Sequence, residues 1–393
     1  MKTIKEKAYS VADRITAFRR DFHMHPEIGF EEFRTAGIIA KRLDELGYRV
    51  QREVARTGVL GDKGEGGPVI AIRADMDALP IQEKNDVPYA STIPGMMHAC
   101  GHDAHTAIAL GVAELLSNED FPGTVRFLFQ PCEDNDDDEG ISGAPRMIEA
   151  GALEGVDVVL GLHVAADLPS GKILTVPGAV LAGADFYVAS VLGKGGHTGS
   201  PQLAIDPIYI ASHVIQAIHS IVPRTIPAYK MGIINMGIVH GGTKDGAIPE
   251  KVNIEGILRY SDKEVRNTIR TELEKALSIA KSFGGDYALE IKTAAPPLLN
   301  HPKLVDVVLQ ATEDLFGKEQ IGDFNPLMAG EDFAFYSEVV PAVCFFFLGA
   351  GIEGDLRRHH DPHFDIDESV LPIGAAVMAE SALRLLRNGG KFD

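Results

Sequence analysis

Two periodicities alternate along the chain. Apolar residues recur every three to four positions over residues 5–20, 31–46 and 106–116, which predicts amphipathic helices, the second stopped by Gly47. Between them, residues 50–60, 69–73, 124–130 and 156–162 carry alternating or continuous apolar runs that predict strands. The glycine-rich stretch 61–68 separates the first two. Strands alternating with helices predict a mixed, mostly parallel sheet covered on both faces.

From about Asp185 the pattern changes. A strand at 186–192, a helix at 204–221, strands at 231–239 and 252–260, a helix at 263–283 and a strand at 287–293 follow in turn. That β-α-β-β-α-β order is the ferredoxin-like split motif. After Pro296-Pro297 the α/β pattern resumes, with a helix at 302–316, a strand at 342–348 and a helix at 368–387. The chain is too long for one ordinary core. The predicted architecture is therefore a discontinuous α/β domain, residues 1–184 and 295–393, interrupted by an α+β satellite, residues 185–294.

Candidate chemistry collects where predicted strands stop. Residues 97–105 read Met-His-Ala-Cys-Gly-His-Asp-Ala-His, immediately before and into the helix at 106–116. Cys100 and His102, two apart in a turn, can reach one point, and a helix N-terminus favours a thiolate there. Thiolate plus imidazole suits zinc, manganese, cobalt or nickel. The strand at 124–130 runs into Pro131-Cys132-Glu133-Asp134, and that at 156–162 ends at His163. Beyond the strand at 342–348 comes His359-His360-Asp361-Pro362. The carboxyl edge of an open α/β sheet is where ligands bind.

These blocks resemble a known family, the metal-dependent amidohydrolases that include hippurate hydrolase, indole-acetyl-amino-acid hydrolases and N-acyl-amino-acid carboxypeptidases. The resemblance runs nearly end to end. It rests on His23-x-His25-Pro26-Glu27-x-Gly29-Phe30, Arg73-Ala74-Asp75-Met76-Asp77-Ala78-Leu79-Pro80 and the cysteine-histidine block. Gly161-Leu162-His163-Val164, Gly193-x-Gly195-Gly196-His197 and Glu331-Asp332-Phe333 extend it. It implies a zinc-peptidase-like catalytic domain with a satellite that pairs two chains. It also implies two divalent metal ions, of zinc, manganese, nickel or cobalt, and hydrolysis of the amide of an N-acyl amino acid or small peptide.

Residue by residue, the resemblance makes Cys100, His102, Asp134, His163 and His360 metal ligands and Glu133 the general base. His197 becomes a donor to the developing oxyanion, often from the partner subunit, and Arg259 the anchor for the substrate carboxylate. Spacing alone does not separate the roles of Glu133 and Asp134. His359 is a spare beside His360. His23 and His25 are expected in a loop between helices, and Asp75, Asp77, Asp103 and His105 as groups that orient ligands. Two positions depart from the family: Asp134 stands where a glutamate is usual, and Gly246 where an asparagine commonly holds the substrate. The acidic run 134–139 only superficially resembles a calcium loop, since Gly140 falls one place late and the distal glutamate is missing.

Composition narrows the partners. The net charge of −19 argues against nucleic acid and anionic membranes. The opening residues lack the apolar core of a signal peptide, and no apolar run is expected to span a bilayer. Three widely spaced cysteines point to a reducing compartment, so a cytoplasmic location is expected. Two other classes stay open at this stage. One is a cysteine hydrolase using Cys100 with His102 or His105 as base; the other is a catalytically silent binding or scaffold protein.

Overall fold

The computed structural model describes residues 2–390, which divide into two compact units. The larger takes Met1–Val180, Leu299–Asn325 and Asp332–Asp393; the smaller takes Leu181–Leu298 and Pro326–Glu331.

The larger unit opens with α1 (Ile4–Ser10) and α2 (Ala12–Met24). The single helix predicted over 5–20 is thus broken at Val11, whose φ of −112° and ψ of 4° leave the helical region. The Val11 amide still bonds back to Ala8, so Ile4, Ala8, Val11 and Ile15 all reach the core. After α3 (Phe33–Glu45), the strand predicted over 50–60 is two antiparallel strands, β1 (Arg49–Val54) and β2 (Gly58–Glu65). The chain reverses through Ala55 and Arg56, both at positive φ although neither is glycine. There follow β3 (Val69–Asp75), α4 (His102–Leu116), β4 (Gly123–Gln130), α5 (Gly143–Glu149), β5 (Val158–Ala165), β6 (Ile173–Leu174) and β7 (Gly178–Leu181).

The smaller unit contains β8 (Gly183–Leu192), β9 (Gly196–His197), α6 (Pro207–Thr225), β10 (Gly232–Gly241), β11 (Ala247–Ile248), β12 (Lys251–Tyr260), α7 (Lys263–Ser282) and β13 (Asp286–Ala295). Its sheet order is β10-β12-β8-β13, antiparallel throughout, which is the ferredoxin-like arrangement. α6 and α7 cover one face through Ile210, Val214, Ile218, Ile269, Leu273 and Leu277. The distant segment Pro326–Glu331 joins this unit because the Ala182 amide bonds to Leu327 and Ala329 carbonyls.

The chain then supplies β14 (Leu298–Asn300), α8 (Pro302–Phe316), β15 (Ala342–Gly349) and α9 (Leu371–Arg387). The main sheet runs β1-β2-β4-β3-β5-β15-β6, with its four central strands parallel and its margins antiparallel. β15 is buried along its whole length, which is why it reads as one apolar run. Contrary to expectation, 368–387 is long and apolar enough to cross a membrane. Most of it is buried within the core, and α9 packs on α4 and α8, so its apolarity is that of a core helix.

Candidate metal centre

Gly101 starts α4 at a φ of 90°, and a Cβ there would lie 2.4 Å from Val164 Cγ2. Only glycine fits this turn, which lays Cys100 and His102 against the carboxyl end of β5. Cys100 Sγ is 3.6 Å from His163 Nε2. His102 Nε2 lies 3.8 Å from Asp134 Oδ2 and 3.9 Å from Glu133 Oε2. His360 Nε2 is 3.4 Å from Asp134 Oδ1. Donor atoms of Cys100, His102 and His163 lie within 4.8 Å of one another, as do those of Cys100, Asp134 and His360. Although one methylene shorter than glutamate, Asp134 reaches the cluster.

The donors fit a metal. His102 Nε2 and Asp134 Oδ2 are buried without a hydrogen-bond partner among the described residues, a cost that coordination removes. The orientation of two of the imidazoles, those of His102 and His163, is fixed from behind. His102 Nδ1 lies 3.0 Å from the Asp77 carbonyl and 3.1 Å from Asp77 Oδ1. His163 Nδ1 donates to the Val164 carbonyl at 2.6 Å, leaving Nε2 its lone pair. His105 is not in the cluster but behind it, held by Asp75 at 2.6 Å and accepting from the Val164 amide at 2.9 Å. His359 packs edge-on to His163, with centroids 5.1 Å apart.

Protonation follows from these surroundings. Burial and neighbouring imidazoles push His163 well below the usual histidine range, so its ring is neutral. Burial would lower His102 too, but Asp75 beside it holds the ring well above that range. The His360 and Asp134 side chains stabilise each other's charged forms: hydrogen bonding to Asp134 raises His360, and the same contact outweighs burial to lower Asp134. Burial, reinforced by Asp134, pushes the Cys100 thiol up to about 12. Desolvation therefore outweighs the pull of the helix start on the Cys100 thiol.

Glu133 accepts a 3.4 Å hydrogen bond from the Asp332 amide. The Asp332 carboxylate is itself held by Arg73, Gln130, Ser142 and the Ala144 amide at 2.8–3.0 Å. Asp77 accepts from the Glu133 and Asp134 amides, both at 3.0 Å, and Glu32 accepts from the Cys132 amide at 2.9 Å. His23 lies in the last turn of α2, not in a loop, with Asp103 at 2.7 Å and Glu83 at 3.2 Å. Glu32 and Gln130 have no signature in the sequence, and Arg73 only as part of the block 73–80; the contacts of all three emerge only when distant segments meet. At the acidic run 134–139, Asp137 accepts from the Glu139 and Ile141 amides and from Arg56 and Arg146, which closes the segment as a turn.

His197 and Arg259 belong to the smaller unit. His197 is exposed, on the short strand β9 that pairs antiparallel with β11 opposite Ala247, and its Nδ1 accepts the Gly199 amide at 2.9 Å, so Nε2 carries the proton in the neutral ring. Arg259 lies on the sheet face opposite the helices, between Ile233 and Ala184. Its Nη1 is buried with no partner among the described residues, and burial lowers its pKa. A Cβ at Gly246 would meet nothing within 4 Å, so no local crowding demands glycine there.

Residues 71–384 match the model of peptidase family M20/M25/M40. N-acetyl-L-cysteine deacetylase of Bacillus subtilis (strain 168) is 39% identical over 98% of this chain and 92% of its own. IAA-amino acid hydrolase ILR1-like 4 of Arabidopsis thaliana is 36% identical over 95% and 86%. Among solved structures, Bacillus subtilis YXEP, described as a dinuclear metal binding peptidase, superposes with a TM-score of 0.84 at 33% identity, covering 96% of this chain and 99% of that one.

Proposed function

The chain belongs to peptidase family M20/M25/M40, and from that premise we propose that it hydrolyses the amide bond of N-acyl amino acids or small peptides with a divalent metal pair. The observation that carries this reading is the gathering of one thiol, three imidazoles and one carboxylate at a single sheet edge, two of their donor atoms buried and unpartnered. Cys100, His102, Asp134, His163 and His360 would hold the ions. Bound there, the pair supplies Lewis acidity and makes water a nucleophile near neutral pH.

In this reading Glu133 accepts the proton of the attacking water and delivers it to the leaving nitrogen, as a general base and then acid. The Asp332 amide steadies Oε1, and Oε2 faces His102. His197, with its proton on Nε2, donates to the oxygen that gains charge in the transition state. Arg259, half-buried and with its Nη1 unpartnered among the described residues, takes the substrate carboxylate. The edge strand β10 exposes Ile238 and Val239, which supports pairing of two satellites and delivery of His197 from the partner. Three unpaired cysteines support a reducing, cytoplasmic setting.

Turnover of a panel of N-acyl amino acids, assayed with added zinc, manganese, cobalt or nickel, tests the reading. Release of free amino acid is expected with at least one metal. No release with any of them, from the panel or from small peptides, would overturn it.

A further inference from the structure

Glu32 is fully buried, yet no cationic side chain pairs with it among the described residues. A buried carboxyl without a cation opposes folding, so its presence calls for a use. Its hydrogen bonds identify one. Oε1 accepts from the Cys132 amide at 2.9 Å, and Oε2 meets Thr57 Oγ1 at 2.5 Å. The next two amides along the chain, of Glu133 and Asp134, both point to Asp77. Three consecutive peptide N–H groups therefore end on two buried carboxyl groups, one of them 100 residues away in sequence.

The segment so held is otherwise a poor one to keep still. Cys132 sits at a φ of 51°, a left-handed conformation that a side chain disfavours. Its position is crowded: a Cβ on Gly29 would lie 2.5 Å from Cys132 Sγ. Its carbonyl is tied by the Gly143 amide at 2.7 Å. Strained backbone of this kind persists only where its surroundings over-determine it. Thr57, which aims Glu32, comes directly after the left-handed pair Ala55 and Arg56 in the β1–β2 turn.

We propose that Glu32, aimed by Thr57, is a positioning residue that fixes the Cys132 peptide and through it the direction of the Glu133 and Asp134 side chains. The proposal rests on the reading above, in which Glu133 moves the proton and Asp134 holds metal. What Glu32 contributes is an acceptor oxygen at one point, so glutamine should replace it and leucine should not.

The test compares Glu32→Leu and Glu32→Gln with the unaltered chain. Displaced supporting groups of this kind lower activity or metal affinity by roughly 10- to 100-fold. Glu32→Leu should lose kcat by that factor with KM little changed and should bind cobalt more weakly. Hydrogen exchange of peptide 131–135, measured on metal-free protein, should quicken. Glu32→Gln should keep kcat, cobalt affinity and protection close to those of the unaltered chain. A folded Glu32→Leu chain with unchanged kcat and unchanged protection overturns the proposal, as does Glu32→Gln losing as much as Glu32→Leu. If Glu32→Leu does not fold, Thr57→Val decides: faster exchange with lower kcat supports the role, and no change in either refutes it. Should the unaltered chain hydrolyse no acyl amino acid, the proposed reaction fails, while the exchange data still decide the role of Glu32.

Discussion

Replacing Glu32 with glutamine should alter how stability depends on pH, and the size follows from the site. Burial, with Asp77 nearby, pushes the Glu32 carboxyl from an ordinary 4.5 up to about 7. In the unfolded chain it titrates normally. Between those values the folded state holds the proton that the unfolded state releases, so stability falls as pH rises and the loss is complete above pH 7. At ~1.4 kcal/mol for each unit of difference, the full loss is on the order of 3 kcal/mol. Roughly 2 kcal/mol of it falls between pH 5.5 and 8.5 by the same relation. Glu32→Gln cannot ionise. Its stability relative to the unaltered chain should therefore climb by that roughly 2 kcal/mol across the window. Guanidinium unfolding of metal-free protein at closely spaced pH values measures this. Parallel stability curves for the two chains would refute the reasoning, since they would mean that Glu32 titrates alike folded and unfolded.

Other outcomes follow from the same geometry. Glu133→Gln should retain metal while losing at least about 100-fold in kcat; loss of metal instead would exchange the roles of Glu133 and Asp134. Arg259→Ala should raise KM for N-acyl amino acids by roughly 10- to 100-fold and leave the corresponding carboxylate-free amides unaffected, so an equal rise for both would remove Arg259 from carboxylate binding. His197→Ala and Glu133→Gln chains, each nearly inactive, should recover activity when dissociated and reassembled together. No recovery in proven heterodimers would confine His197 to its own chain.

The donors were legible because each brings chemistry that stands out where an apolar strand stops. Cys100, His102, Glu133, Asp134, His163 and His360 all lie at the carboxyl edge of the parallel strands or on the loops that meet it. The satellite motif was legible too, because its helices each bury one regular stripe. The reversal between β1 and β2 was not, because Ala55 and Arg56 adopt left-handed turn conformations that neither residue advertises. Nor was the break at Val11, which contains no glycine or proline. Glu32 was invisible for a different reason. It reads as one more polar residue at the start of the predicted helix, and its carboxyl finds partners only when Thr57 and, from 100 residues away, Cys132 approach it. The stretch 368–387 was read as a helix but not as one apolar enough to cross a membrane; a mostly buried core helix and a membrane-spanning one share a composition.

The measurement closest to the central claim joins metal content to turnover. Protein purified without chelator should carry up to two divalent ions per chain, held by Cys100, His102, Asp134, His163 and His360. Removing them with a chelator should abolish acyl-amino-acid hydrolysis, and titrating zinc, manganese, cobalt or nickel back should restore it as the sites fill. Full activity in verified metal-free protein would contradict the account.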